Sequence, residues 1–472
     1  MNLESRIPAR RIDAAGRAHV DVRAILALAL PLMANSAVQL VLSLTDVWFI
    51  GHISTDALAA VGSVHWLALV AVMILGGVGQ AVQTVVAQAY GARRRAHASR
   101  AVWIALWGVL LVTPLFVATG LAGRAMVSLF GLPDHIQELA AAFWLPRLAG
   151  APIGTAVWGI LGFFNGIGRP RLTLLVTAAM AVANGILNQI FIFELDLGVA
   201  GSAYATNVAQ AVGLVAALWI FLRPQYREHY VSHLTWRPRL RRIWAQAQLG
   251  FPMGLLSAAD LLGISIFQVM QVRLGAVDGA ATQVVMVLTA IAYMPGFGIA
   301  LAGTTLVGQS IGAGDRAWAR RLGNRVIALT ACYMGGAGVL LALAGPWLLP
   351  VFTASHDGAA AGVVALGTQL LWFAAVYQFF DGLNMGSGFC LRGAGDATVP
   401  ALLVILLSWF GFVPLAHMLS FAPGQGWVDV LPQFGYGALG GWAAVVIYIM
   451  LLGLMLWVRW RSHAWERLHI EA

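Results

Sequence analysis

Long apolar stretches constrain this chain more than any other feature. Hydrophobic residues make up 60% of its 472 residues and charged residues only 10%, whereas soluble domains carry about 25% charged residues. The apolar residues come in blocks of roughly 20 or more, the length at which an α-helix crosses about 30 Å of hydrocarbon. The sequence therefore predicts an all-α integral membrane protein.

The apolar blocks predict twelve transmembrane helices in two pseudo-symmetric six-helix lobes. The N-lobe covers 24–222 and the C-lobe 246–458, and a basic linker at 223–245 joins them. The predicted spans lie near 24–50, 57–90, 100–121, 138–164, 171–193, 199–222, 249–273, 280–312, 324–352, 363–391, 398–420 and 435–458. Residues 1–23 and 459–472 are predicted to be a cytoplasmic N-terminal segment and a cytoplasmic tail.

The distribution of basic residues predicts the orientation. All 28 basic residues are Arg, and 25 of them lie in the two terminal segments, the linker and alternate loops. Only Arg124, Arg147 and Arg273 fall on or near the other side. Because basic loops stay cytoplasmic, we expect both termini on the cytoplasmic side of the membrane, with the Arg residues against anionic lipid headgroups and not against nucleic acid.

The absence of Lys excludes several functions. A Walker A loop, a Schiff-base enzyme and a protein kinase all need Lys, so we expect no nucleotide site, no enzyme activity and no catalytic residue. Cys332 and Cys390 have no metal-ligand spacing, and no cofactor is predicted. Any pumping must then use an ion gradient, with Na⁺ or H⁺ as the coupling ion, or a partner chain; we expect a monomer.

The two halves of the sequence resemble each other. Leu30-Pro31 and Phe251-Pro252 open equivalent spans 221 residues apart, and the segments 87–92 and 308–313 repeat at the same offset. Repeats with an even number of spans have parallel topology, with the substrate cleft between them. A proline inside a span allows a bend, so Pro31 is either a functional hinge or a static kink.

Three carboxylates lie well inside the predicted spans: Asp46, Asp260 and Asp381. A charge at the membrane centre costs about 2.5 to 3.5 kcal/mol or more, so such residues usually face a cavity and serve function. Each can bind Na⁺, take up a proton or pair with a cationic substrate. Because these roles exclude one another, competition for the acid couples transport to the ion. The alternative is a carboxylate that only joins helices through hydrogen bonds.

Neutral polar residues accompany these acids. Asn184 and Asn188 are four residues apart and share a helix face, as do Tyr377 and Asp381. Gln283, in the eighth span, is positioned to complete an oxygen cluster with the two C-lobe acids, which is the ligand type that hard cations prefer. Asp260 and Asp381 together are the predicted Na⁺ ligands.

Several motifs resemble the multidrug and toxic compound extrusion (MATE) family, in its NorM-like bacterial branch. The resemblance covers about 24–458. The segments that carry it are Leu44-Thr45-Asp46-Val47-Trp48-Phe49-Ile50-Gly51, Asn184-Gly185-Ile186-Leu187-Asn188-Gln189-Ile190-Phe191-Ile192-Phe193, and Tyr377-Gln378-Phe379-Phe380-Asp381 followed by Leu391-Arg392-Gly393-Ala394-Gly395. It implies two six-helix lobes that export organic cations and other drugs in exchange for Na⁺ or H⁺.

The resemblance also implies residue roles. Asp46 matches the N-lobe carboxylate, and Asp381 with Tyr377 matches the C-lobe cation site. Gln283 falls where that site's amide is expected. Asp260 stands where NorM-like chains usually carry Glu, so this chain has a shorter acid there.

The N-lobe polar residues follow the NorM-like pattern as well. Asn188 stands where archaeal and DNA-damage-type relatives place a second acid. We therefore predict a cation or proton coupling site at Asp260 and Asp381 with Tyr377 and Gln283, and Asp46 serves substrate binding or protonation. The predicted substrate cavity is lined by Asp46, Asn184, Asn188 and Asp381.

Two other functions remain possible from the sequence. A lipid-linked oligosaccharide flippase of the same superfamily would need a basic cavity for pyrophosphate, and few Arg residues fall inside spans. A membrane enzyme or channel is the second alternative, but no paired His or Asp-rich metal motif is present.

Overall fold

The computed structural model describes residues 7–14, 16–128, 133–352 and 360–467. Residues 1–6, 15 and 468–472 of the predicted terminal segments lie outside these ranges. The N-lobe helices are α1 Val22–Gly51, α2 Thr55–Leu75, α3 Gly77–Gly91, α4 Arg95–Leu121, α5 Gly123–Ser128, α6 Asp134–Gly166, α7 Pro170–Asn188, a π-helix Gln189–Glu194, and α8 Gly198–Phe221.

The C-lobe follows a short helix, α9 Pro224–Tyr230. Its helices are α10 Leu240–Leu274, α11 Ala276–Gly312, α12 Arg316–Leu348 with a 3₁₀ turn Leu349–Phe352, α13 Ala360–Ala394, α14 Thr398–Leu406, a π-helix Leu407–Phe412, α15 Val413–Ser420, α16 Gly437–Arg461 and a 3₁₀ turn Ala464–Arg467. Before α1, strands β1 Arg10–Ile12 and β2 Ala18–Val20 form an antiparallel hairpin.

Twelve helices in the described part of the chain are long and apolar enough to cross a membrane. The prediction of twelve spans is therefore confirmed. Buried apolar residues form separate cores in the two halves. One core is formed by the C-lobe helices from α10 to α16, and two other cores lie within the N-lobe. We call the membrane face where α1 begins and α16 ends the terminal face.

Several helix boundaries differ from the predicted spans, and two of them lie near the lobe crossings. The predicted span 57–90 is interrupted at Gly76, which separates α2 from α3. Helix α10 begins at Leu240, inside the predicted linker 223–245. Its first turn carries Arg241 and Arg242. Because these residues are charged, a prediction based on apolar runs does not include the start of this helix.

The linker before α10 is fastened to the N-lobe. Tyr226 and Tyr230 are buried against Phe163 of α6, and Arg169 donates a 2.9 Å hydrogen bond to the Tyr226 hydroxyl. The indole of Trp103 donates to a linker carbonyl at 2.7 Å. Aromatic residues within the basic segment therefore anchor it to the N-lobe.

Phe163 should therefore be a key residue for stability. Replacing Phe163 with Ala removes a fully buried ring that contacts Phe221, Tyr226 and Tyr230. We expect a loss of about 3–5 kcal/mol, seen as a lower thermal unfolding temperature in detergent. Phe410→Ala is the control, because that ring is 78% exposed; equal effects of the two changes would contradict the anchoring role.

The first helix of the N-lobe packs against the C-lobe near the terminal face. Ile25 belongs to the C-lobe core. Ala29 and Leu32 of α1 pack with Ile299 and Ala302 of α11. Beyond Pro31 the helix continues without a break to Gly51, and its outer half carries Asp46 back to the N-lobe helices α7 and α8.

The first helix of the C-lobe packs against the N-lobe in the same way. Gln246 of α10 donates hydrogen bonds to the carbonyls of Val78 (3.4 Å) and Ala101 (3.2 Å) in the N-lobe. Gly250 and Gly77 cross so closely that a Cβ on either would lie 2.3 Å from the other's carbonyl oxygen. The outer part of α10 then packs on C-lobe helices. Each lobe thus holds the first turns of the other lobe's first helix.

A second close crossing joins the lobes at the terminal face. A Cβ on Gly91 would lie 2.0 Å from the Gln309 carbonyl oxygen, and a Cβ on Gly312 would lie 2.0 Å from that of Gln88. The same two glutamines donate hydrogen bonds across the interface, Gln88 to Gly393 O at 2.9 Å and Gln309 to Gly166 O at 2.8 Å. The repeated segments 87–92 and 308–313 therefore close this face together.

Candidate functional site

Asp46 lies in a closed ring of hydrogen bonds in the N-lobe. The Asn188 amide donates to Asp46 Oδ1 at 2.7 Å and to Asn184 Oδ1 at 3.1 Å. Asn184 donates to the Thr206 hydroxyl at 3.3 Å, and Thr206 lies 3.5 Å from Asp46 Oδ2. The structure thus brings together the three N-lobe residues that the sequence singled out and adds Thr206 of α8.

Local backbone geometry helps to place this ring. Asn184 and Asn188 are fully buried on one face of α7, and the π-helix Gln189–Glu194 begins directly after Asn188. Single π-helical turns often occur at functional sites. The Oδ1 atom of Asn188 has no hydrogen-bond donor among the described residues although it is buried. An acceptor beside the carboxylate is therefore open to a further donor or cation.

One basic side chain lies within electrostatic range of the N-lobe acid. The charge of Arg147 on α6 interacts with that of Asp46 and with His65 on α2. From the sequence, Arg147 is expected near the outer side and has no predicted role. Its position nine residues inside the predicted span 138–164 is the sequence feature that indicates a charge within the membrane.

Asp381 is the most buried of the three acids, with 5% of its surface exposed. Its Oδ1 accepts a hydrogen bond from Asn384 at 3.1 Å. Its Oδ2 is buried without a donor among the described residues, and the Tyr377 hydroxyl lies close by. Burying a carboxylate oxygen without a partner is costly, so this atom is a candidate ligand for a proton or a cation.

Asp260 shares the C-lobe with Asp381. Its Oδ1 accepts a 3.1 Å hydrogen bond from the Tyr448 hydroxyl on α16, and the two aspartates interact electrostatically. Tyr293 and Arg392 lie within electrostatic range of Asp260. Arg392, near the end of α13, is only partly exposed and lies over the Phe389 ring.

Gln283 does not join this cluster through hydrogen bonds. Its side chain is exposed, and within the described ranges it donates none to Asp260 or Asp381. Two turns further along α11, the carbonyl of Thr289 accepts a 3.0 Å hydrogen bond from Gln378 of α13. Spacing along the sequence did not reveal which face of α11 turns toward the acids.

The C-lobe donor set suits a small hard cation or a proton. Carboxylate, phenol and amide oxygens are the ligands that such cations prefer. Among the described residues, no three His, Cys, Asp or Glu side chains cluster as they would around a tightly held metal ion. Asp260 and Asp381 are the residues that could hold a coupling Na⁺.

In the described part of the chain, twelve helices are long and apolar enough to cross a membrane, and each lobe has a carboxylate within its spans; these features are those of a polytopic secondary transporter. The family comparison is more specific. The family model described as MatE matches residues 31–190 and 252–416, two stretches that begin at the equivalent residues Pro31 and Pro252. The chain belongs to the MatE family and is a NorM-like multidrug and toxic compound extrusion transporter.

Similar proteins agree with this assignment. The chain is 29% identical to the multidrug resistance protein NorM of Burkholderia vietnamiensis, over 92% of each chain. It is 27% identical to the probable multidrug resistance protein NorM of Agrobacterium fabrum, over 93% of each chain. A crystal structure of MATE in the bent conformation has the same fold, with a TM-score of 0.80 at 21% identity, covering 94% of this chain and 96% of that chain.

Proposed function

We propose that this protein exports amphipathic, often cationic organic compounds in exchange for Na⁺ or H⁺. The observation that carries the proposal is the acid cluster in each lobe; in the described part of the chain, each cluster has a buried oxygen without a hydrogen-bond donor, Asn188 Oδ1 in the N-lobe and Asp381 Oδ2 in the C-lobe. Asp46 with Asn184 and Asn188 binds substrate, and Asp260 with Asp381 and Tyr377 binds the coupling ion. Asp381 also borders the substrate cavity.

Transport proceeds by alternating access between the lobes. In the structure, the hydrogen bonds between α3 and α11 hold the terminal face closed. Opening this face separates the glycine crossings, and α1 and α10 must then bend because each is held by both lobes. Pro31 and Pro252 lie where each helix passes from one lobe to the other, so they are the proposed hinges.

The remaining proposals concern the lobe boundaries, the orientation and the oligomeric state. We propose residues 24–222 and 246–458 as the lobes, with 223–245 as the cytoplasmic linker. The terminal face is then cytoplasmic and the protein lies in a bacterial inner membrane as a monomer. A flippase needs a basic cavity for pyrophosphate; here the interior Arg147 and Arg392 each lie near an acid in a different lobe, which does not favour that function.

Efflux measurements test the proposal. The protein is expressed in a strain stripped of its own drug pumps, and accumulation of ethidium and of a fluoroquinolone is measured. Lower accumulation than in cells with empty vector is expected, and unchanged accumulation across a broad panel would overturn the proposal. Inverted vesicles with an imposed Na⁺ gradient or an imposed pH gradient identify the coupling ion.

Asp46→Asn should weaken the export of cations. The change keeps the shape of the side chain but removes the charge at the centre of the hydrogen-bonded ring. A hydrogen-bonded ionic contact is worth about 1.5–3 kcal/mol, so we expect roughly a tenfold to hundredfold loss of ethidium efflux. Asp56→Asn, at an exposed position at the start of α2, is the matched control and should leave efflux unchanged.

A further inference from the structure

His417 of α15 is a buried ionisable side chain that the proposed transport cycle does not use. It is 3% exposed and lies at the membrane face opposite the terminal face, where the loop 421–436 connects α15 to the start of α16. Its Nε2 atom accepts hydrogen bonds from two consecutive backbone N–H groups of that loop, those of Trp427 at 2.9 Å and Val428 at 3.3 Å. The imidazole therefore holds the middle of the loop against the C-lobe.

The rest of the loop is folded so that these two N–H groups reach the ring. The Gln433 side chain accepts a 3.2 Å hydrogen bond from the Gly426 N–H and donates one of 3.3 Å to the Val428 carbonyl. A Cβ at Gly426 would lie 2.6 Å from His417 Nε2, so only glycine allows this close approach. The N–H groups of residues 434–436 donate to carbonyls near the end of α15 at 2.8–2.9 Å. The loop is thus fastened at its end and at its middle, and His417 is the fastening at the middle.

The two hydrogen bonds fix the charge of the His417 ring. A neutral imidazole carries one proton, and since Nε2 is an acceptor here, the proton is on Nδ1. Nδ1 is buried and has no hydrogen-bond partner among the described residues. A second proton would turn Nε2 into a donor that faces two N–H donors, so both bonds to the loop would be lost. Only the neutral form of His417 can hold the loop.

Two charged residues lie on either side of His417. On α10, the Arg273 guanidinium lies 5.9 Å from the centre of the Phe421 ring and 5.8 Å from that of the Trp427 ring, and it repels a protonated imidazole. In the loop, Asp429 attracts a protonated imidazole, but Asp429 is exposed, so solvent and salt weaken this attraction. These charges do not replace the two lost hydrogen bonds.

The other elements that pack around His417 bring no free carboxylate to the ring. Helix α15 and the π-helix Leu407–Phe412 contain no other ionisable residue, and α16 contains none before Tyr448. The Asp278 carboxylate at the start of α11 accepts a 3.3 Å hydrogen bond from the Ala438 N–H of α16. These elements therefore supply no counter-charge that would keep a protonated ring in place.

We propose that His417 is a proton-binding site at the face opposite the terminal face, and that its protonation releases the loop 421–436 from the C-lobe. Histidine ordinarily changes its charge between pH 5 and 8, so moderate acidity at this face is the signal. The loop leads directly into α16, whose Tyr448 donates a hydrogen bond to Asp260. Acidity thus acts on the C-lobe through a residue outside the coupling site, and the inference does not depend on the proposed export function.

Hydrogen exchange of the purified protein in detergent tests the inference. Exchange of the loop amides, including those of Trp427 and Val428, is followed by mass spectrometry at about pH 8 and about pH 5. Each rate is divided by the rate of unstructured chain at the same pH, which gives a protection factor. We expect the protection of the loop to fall at least about tenfold at the lower pH, because the two bonds to His417 are lost.

Variants separate the proton-binding role from a structural one. His417→Gln supplies a neutral acceptor that takes up no proton, so protection should be the same at both pH values. His417→Ala removes the acceptor and should give low protection at both. His52→Gln, at an exposed position of the same membrane face, is the matched control and should show the wild-type response. Wild-type protection that does not change with pH, or the same loss in acid by His417→Gln, would overturn the inference.

Discussion

Replacement of Asp381 with Asn is expected to abolish ion-driven export. The side chain is 5% exposed, and one of its oxygens has no donor among the described residues. Asn has almost the same shape but carries no negative charge, and its amide nitrogen can neither bind Na⁺ nor take up a proton. Without a group that exchanges one cation for another, the ion gradient no longer drives the cycle.

Vesicle transport under an imposed gradient measures this effect. Drug uptake into inverted vesicles should fall to the level of vesicles without the protein, while binding of a labelled substrate to purified Asp381→Asn protein persists. Asp429→Asn, at an exposed position before α16, is the matched control and should transport normally. Normal gradient-driven uptake by the Asp381 variant would show that the coupling site lies elsewhere.

Gly312→Ala is expected to prevent full closure of the terminal face. The new Cβ would lie 2.0 Å from the Gln88 carbonyl oxygen, so the two helices must separate. Overpacking costs about 1–3 kcal/mol, which lowers the population of the closed form by roughly fivefold to over a hundredfold. Efflux should fall by a similar factor, because each cycle passes through that form.

Distances between spin labels report the closure. Labels at Arg94→Cys and Ala313→Cys, in protein whose Cys332 and Cys390 are replaced by Ala, lie on exposed loops of opposite lobes. The Gly312 variant should shift this distance to longer values. Gly336→Ala is the control, because a Cβ there meets nothing within 4 Å; an unchanged distance in the Gly312 variant would contradict the role of the crossing.

Features that depend on the membrane were predictable from the sequence. The twelve spans follow from hydropathy, because hydrocarbon imposes the same requirement on every crossing segment. The neighbourhood of Asn184 and Asn188 follows from helical periodicity. The contact of these two residues with Asp46 is consistent with the motifs that contain them, because a carboxylate inside the membrane needs polar neighbours.

Features that depend on packing between helices were not predictable. These features depend on how each helix is rotated and how it crosses its neighbours. They include the face of α11 that carries Gln283, the electrostatic interaction of Arg147 with Asp46, and the packing of Tyr226 on α6. The π-helix Gln189–Glu194 depends on a shift in hydrogen-bond register that leaves hydropathy unchanged. For this reason the sequence located the acids but missed the basic partner in the N-lobe cluster.

The exchange of α1 and α10 between lobes makes the two halves dependent on each other for assembly. If one half were synthesised alone, the surface that binds the first helix of the other half would be exposed. The start of its own first helix would be exposed as well. Fragments cut within the linker would therefore regain activity only when both are made in the same cell. A duplicated ancestor of one half would have worked as a pair of intertwined copies.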